Sequence, residues 1–263
     1  MNRKKLTALM LSAVMAVTPA APIVAAEADE FDSAVTYTAA DEGSTDIKDD
    51  DVVIAPKPDR VTGWDDTKTY YYVNGKKVNG KAQKIGKYTY CFAKKTGKLV
   101  KSKSYYTFDS KTYYRIDTKG RATKLLPVEV MAVKVLTSKS IKGDLRKAFN
   151  WCANLRYVSN FKVSKKSPGG YGLYGFQKRQ GDCYVQAATF YWIAKVAGYD
   201  AHYVRGYFRK TTGKGPHAWV EINYKGKTYV YDPNFQKEYR RNGYKLTYGA
   251  KGTLKYVNYK RLN

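Results

Sequence analysis

Two stretches in the C-terminal half repeat their apolar positions with the period of a helix. Residues 144–154 place Leu145, Phe149 and Cys152 on one side. From Cys183 onward, Val185, Ala188, Trp192, Ile193 and Val196 form an apolar stripe that Gly198 ends. The run 167–175 between them, rich in Gly and Pro, reads as a loop. After Gly198 the pattern shortens to strands over 201–208, 217–224 and 227–232. Lys225-Gly226 makes a tight turn between the last two. Residues 60–125 follow another rhythm. Thr69-Tyr70-Tyr71-Tyr72-Val73, Tyr88-Thr89-Tyr90-Cys91-Phe92 and Thr112-Tyr113-Tyr114-Arg115-Ile116 are strand-like clusters. Each cluster is followed by a Gly turn: Asn74-Gly75, Thr96-Gly97 and Lys119-Gly120. A recurrence of about twenty residues predicts β-hairpin repeats that bury their faces on one another.

This N-terminal module resembles the cell-wall-binding (choline-binding-type) repeats of Gram-positive surface proteins, through Gly63-Trp64 and the aromatic triplets. The resemblance implies a ligand cage built from Trp64, Tyr71, Tyr90 and Tyr114. The second and third tryptophans of that pattern are missing here. A spacer or auxiliary β-module packed on the next domain is the other reading.

The chain begins with the basic stretch MNRKK, a mostly apolar run from Leu6 to Val17, and small residues at Val24-Ala25-Ala26. That order predicts a cleaved signal peptide over 1–26 and no membrane span in the mature chain. Residues 27–59 hold eleven acids and two bases and end with Pro56 and Pro58, the composition of an acidic disordered linker. The whole chain of 263 residues carries a net charge of +26, and half of its acids lie in that linker. The remainder therefore presents a strongly positive field that favours anionic partners. Export turns the expectation away from nucleic acid and toward an anionic cell-wall polymer. The predicted location is secreted or attached to the surface of a bacterium of Gram-positive type.

Only two histidines, His202 and His217, are available for acid–base work. Cys183 falls in the first turn of a helix, where free N–H groups and the helix dipole favour a thiolate. A thiolate nucleophile also needs a base and a group to orient that base. His217 begins one strand and Asp232 ends its hairpin partner, so the two can meet and leave one ring nitrogen for the sulfur. Taken singly, each has a plain structural role: Cys183 as a small buried hydrophobe, His217 as a satisfied strand residue, Asp232 as a turn-former before Pro233.

Taken together, the blocks resemble the core of the transglutaminase-like superfamily. They are Arg179-x-Gly181-x-Cys183, Val204-Arg205-Gly206-Tyr207, His217-Ala218-Trp219 and Asp232-Pro233. The resemblance implies an α+β, papain-like fold for residues 126–263, with a Cys-bearing helix packed on an antiparallel sheet that bears His and Asp. It assigns Cys183 as nucleophile, His217 as base and acid, and Asp232 as orienter. For the oxyanion it implies the Cys183 N–H and offers Gln177, with Gln180, Tyr171 or Tyr174 as alternatives. His202 is read as structural. The distances from Cys183 to His217 and Asp232 in the chain are too short for papain itself. Wall-peptide hydrolases carry Asp-Cys-Ser-Gly where this chain has Asp182-Cys183-Tyr184-Val185.

The expected activity is thioester-forming attack on a peptide or glutamine carboxamide. A protease or amidohydrolase is favoured over a protein crosslinker, and the repeats hold the enzyme at the cell surface. No cofactor and no metal is implied. The competing expectations are a cell-wall-binding surface protein with an inactive fold, and a polyanion binder whose affinity falls steeply with salt. Cys91 and Cys152 lie in different modules, and a disulfide between them would require those modules to pack together.

Overall fold

The computed structural model describes residues 62–262. The signal-peptide and acidic-linker segments lie outside the described residues. Strands β1 (Thr62–Trp64), β2 (Tyr71–Val73) and β3 (Lys76–Lys77) form a three-stranded antiparallel ribbon, with the Asn74-Gly75 turn between the last two. Next come β4 (Lys81–Ile85), β5 (Tyr88–Phe92), β6 (Lys103–Thr107), β7 (Tyr113–Ile116) and β8 (Arg121–Lys124). All three aromatic clusters are strands, and their turns fall at the expected glycines. The hairpins do not stack as separate units, however. Strand β8 inserts between β5 and β7, giving one five-stranded sheet in the order β4-β5-β8-β7-β6. Pairing the strands edge to edge satisfies backbone groups that isolated hairpins would leave open.

A helical and sheet region follows: α1 (Pro127–Leu136), α2 (Leu145–Ala153), β9 (Arg156–Tyr157), α3 (Pro168–Lys178), β10 (Gln180–Gly181) and α4 (Cys183–Val196). It closes with β11 (Asp200–Lys210), β12 (Gly213–Tyr224), β13 (Lys227–Tyr231), α5 (Pro233–Tyr239) and β14 (Tyr256–Arg261). Strands β11–β14 make an antiparallel sheet in the order β13-β12-β11-β14.

Helix α4 is the hub. It packs against α1, α2, α3, α5 and the β11–β12 pair, so its residues are buried on nearly every side rather than along one stripe. Phe149 of α2 meets Phe190 of α4 edge to face at 5.1 Å, and Phe190 packs on Tyr231 of β13 at 5.5 Å. Truncating such a buried aromatic costs about 3–5 kcal/mol.

The stretch read as a loop from its Gly and Pro content is helix α3. Ser167 caps it by accepting from the Gly170 N–H at 3.2 Å, and Pro168 takes the first helical position, where no donor is needed. Its glycines serve packing: a Cβ on Gly175 would lie 2.1 Å from Thr189 Oγ1 of α4. Glu129 of α1 ties the two regions together. One carboxylate oxygen pairs with Arg115 of β7 at 2.5 Å, and the other accepts from the Leu126 N–H at 2.8 Å.

Candidate active site

Cys183 is the first residue of α4. Asp182 caps that helix, accepting from the Val185 N–H at 3.2 Å. Burial pushes the Asp182 carboxyl up, against the pull of hydrogen bonds from Val185 and Tyr184. The approach to the cysteine is fixed from both sides. Strand β10 pairs in parallel with β9, through Arg156 N–H to Arg179 O and Val158 N–H to Gly181 O. The Arg179 guanidinium lies 3.6 Å from the Trp151 ring centroid. Gly181 has φ +151, and a Cβ there would strike Val185 at 2.3 Å, so only glycine fits just before the nucleophile position.

His217 lies in β12 and Asp232 caps α5, accepting from the Phe235 N–H at 2.9 Å. The hairpin brings His217 Nε2 to 2.7 Å from Asp232 Oδ2. The other ring nitrogen, Nδ1, is left for the sulfur, and a side-chain hydrogen bond joins His217 to Cys183. Cys183, His217 and Asp232 are all buried, Asp232 completely. Burial pulls His217 down, but the Asp232 charge and hydrogen bond, with Cys183 adding to them, push it up to about 10. The Asp232 carboxylate therefore favours the protonated form of the imidazole.

A polar and aromatic frame surrounds the imidazole. The Tyr256 hydroxyl donates to Asp232 Oδ2 at 2.8 Å. Burial, then the Asp232 charge and hydrogen bond, drive this phenol far above its ordinary range. The His217 ring lies between Phe208 (5.3 Å, edge on), Trp219 (6.1 Å) and Tyr256 (6.3 Å), the last two stacked. The Trp219 indole donates to Tyr248 Oη at 2.7 Å, and Tyr248 donates to the buried Glu221, which also pairs with Arg261 at 2.5 Å. Tyr256, Tyr248, Glu221 and Phe208 were not legible as site residues. The one signal was the excess of tyrosine, which names no particular position.

The fold thus brings Cys183, His217 and Asp232 together. Gln177 is exposed in the last turn of α3, and no described hydrogen bond joins it to Cys183 or His217. Gln180 is engaged with Tyr174 Oη at 2.9 Å and with Arg156. Tyr171 is the alternative that stands near the cysteine: it is buried and stacks at 5.8 Å on Tyr184, the residue after Cys183. His202 pairs with Asp200 at 3.2 Å and with Asn223 at 3.2 Å. In the N-terminal module, Trp64 packs edge to face on Tyr71 (5.3 Å) and Tyr90 (5.2 Å). Tyr114 belongs instead to a core cluster with Cys91 and Ile116. Cys91, Cys152 and Cys183 are all free thiols, and burial raises Cys91 to about 12. Among the described residues, no group of three or more His, Cys, Asp or Glu converges as metal donors. No helix among them is long and apolar enough to cross a membrane.

Residues 131–233 match the family model of the transglutaminase-like superfamily, a stretch shorter than half of the chain that contains Cys183, His217 and Asp232. The protein therefore carries a transglutaminase-like domain. Three solved structures are similar to it. A candidate cysteine protease from Cytophaga hutchinsonii aligns at 21% identity and TM-score 0.32, over 40% of this chain and 36% of that one. The periplasmic domain of TgpA from Pseudomonas aeruginosa, bound to ethylmercury, aligns at 18% identity and TM-score 0.33, over 44% and 49%. A TGase aligns at 19% identity and TM-score 0.30, over 48% and 35%. The matches span half or less of each of those structures. No curated protein matches the chain.

Proposed function

We propose that the chain is an exported cysteine-nucleophile enzyme that acts on a peptide or glutamine carboxamide. The observation that carries this reading is a buried histidine held between Asp232 at 2.7 Å and the thiol of a helix-start cysteine. The Cys183 sulfur, its proton held on His217, attacks the carbonyl carbon and forms a tetrahedral adduct. The C–N bond then breaks, and the leaving nitrogen takes the proton from His217. Water, activated by the now neutral imidazole, hydrolyses the thioester and restores the thiol. Asp232 balances the imidazolium and fixes the ring. The Cys183 N–H, at the start of α4, is the proposed oxyanion donor. Hydrolysis is preferred because water is the default acceptor where no second substrate site excludes it.

In this reading the aromatic N-terminal module, with Trp64, Tyr71 and Tyr90 clustered on it, holds the enzyme at the cell surface against an anionic wall polymer. Incubation of the mature protein with a panel of glutamine-containing peptides tests the catalytic claim, by mass spectrometry of the peptides and release of ammonia or amine. Cys183→Ala abolishes turnover with the fold intact, and Asp232→Asn lowers it by roughly a thousandfold or more. Turnover that survives Cys183→Ala sinks the proposal.

A further inference from the structure

A cavity of about 410 Å³ is lined by chain neighbours of the catalytic pair. Tyr184 follows Cys183, Pro216 precedes His217, and Gly206 faces His217 across the β11–β12 ladder; all three line the cavity. So do Arg205 and Lys260, which stand directly opposite each other on β11 and β14. Like charges facing each other across an antiparallel pair destabilise a sheet unless something anionic sits between them. No described carboxylate forms an ion pair with either residue. Arg205 is half-buried and is held by aromatics instead. Its guanidinium lies 4.7 Å from the Tyr184 ring centroid, and it donates to the Tyr184 hydroxyl. A hydroxyl that accepts from a guanidinium keeps its own hydrogen to donate.

The local backbone is built around this cavity. Between the Arg205↔Lys260 and Tyr207↔Val257 pairs, β14 holds one residue more than β11, a β-bulge with Asn258 at φ 50. Bulges re-aim side chains and gather beside active sites. A Cβ on Gly206 would lie 2.5 Å from Tyr259 Cβ, so glycine is what lets the bulge close on this wall.

We propose that Arg205, Tyr184 and Lys260 form a subsite for a carboxylate carried by the substrate next to the amide that Cys183 attacks. The proposal rests on the reading of Cys183 as the nucleophile, and it narrows the substrate to an acidic peptide. The guanidinium fork matches the two oxygens of a carboxylate, Tyr184 supplies a further donor, and Lys260 adds charge at the rim. The anion could be an acidic side chain or a free C-terminus, and the same donors would serve either.

Protection of Cys183 from iodoacetamide tests this at constant ionic strength, read by peptide mass spectrometry. The probes are three N-acetyl dipeptides, Gln-Glu amide, Gln-Gln amide and Gln-Gly free acid, together with inorganic phosphate. The acidic dipeptides shield Cys183 saturably and the neutral one does not. Arg205→Gln raises the half-protecting concentration roughly tenfold, the loss expected for one charge-assisted contact, and Arg205→Lys restores part of it. Lys260→Gln, on an exposed edge strand, raises it by a smaller factor and serves if the Arg205 variants misfold. Each variant is referred to its own rate without peptide. Shielding by Gln-Glu amide alone assigns the side-chain carboxylate, and shielding by the free acid alone assigns the C-terminus. Equal shielding by acidic and neutral dipeptides, shielding unchanged in both variants, or phosphate acting as well as the dipeptides overturns the subsite. A Cys183 that alkylates sluggishly at every pH, yet is still shielded selectively, removes the catalytic reading and keeps the subsite.

Discussion

Asp232 accepts from the Phe235 N–H, the His217 ring and the Tyr256 hydroxyl while fully buried. A buried carboxylate keeps its charge only with such partners, and that charge is what holds the His217 proton. Removing the Tyr256 hydroxyl withdraws one of them without opening a cavity. Tyr256→Phe is expected to cost roughly 1.5–3 kcal/mol of stability, the range for a hydrogen bond to a charged group, and to slow Cys183 alkylation. Thermal unfolding and alkylation kinetics check both. Cys183, His217 and Asp232 were legible in the sequence because each sits in a short local block: a glycine before a helix, a His-Ala-Trp strand segment, an aspartate before proline; β12 begins at Gly213, however, so His217 lies inside its strand and not at its start. Tyr256 was not. It reaches Asp232 across 24 residues of chain that periodicity does not organise, and it is one tyrosine among 26. The offset of Gln177 from Cys183 points to an oxyanion donor, but α3 and the αL turn at Arg179 leave it exposed.

Among the elements, those with a clear period were read well. Helix α4 and strands β11, β12 and β13 fall within a few residues of expectation, because apolar spacing and bounding glycines define them. Helix α3 departs from the sequence reading because its glycines argue for a loop by composition, whereas Gly172 and Gly175 allow close approach to α4. Strand β14 was missed because its burial is confined to one end, so no alternation marks it. The bulge opposite Gly206 is likewise invisible in a single strand's pattern. It carries a prediction: Gly206→Ala forces Tyr259 and β14 aside and costs about 1–3 kcal/mol, the range for overpacking. Because β14 begins with Tyr256, the same variant is expected to slow Cys183 alkylation even at temperatures where it is fully folded. Unchanged unfolding and unchanged kinetics contradict this account of the bulge.

For the whole molecule, the Asp232–His217–Cys183 chain makes stability depend on pH. His217 is raised from its ordinary 6.5 to about 10, so the folded state binds its proton more tightly than the unfolded chain does. That contribution is complete below pH 6.5 and is lost as pH rises toward 10. Cys91, pushed from 9.0 to about 12 by burial, adds its own loss only above 9. In Cys183→Ala, where no thiol supplies the proton that His217 holds, the melting temperature should therefore fall between pH 6.5 and 9, and adding His217→Gln should flatten that slope. The central claim is that the three side chains form one working unit, and its most direct test is the pH dependence of alkylation at each cysteine, read by peptide mass spectrometry. The account predicts rapid reaction of Cys183 well below pH ~8.5, the ordinary thiol range, with Cys91 and Cys152 nearly inert and the advantage gone in His217→Ala. A Cys183 that follows an ordinary thiol curve, unchanged by His217→Ala, would contradict it.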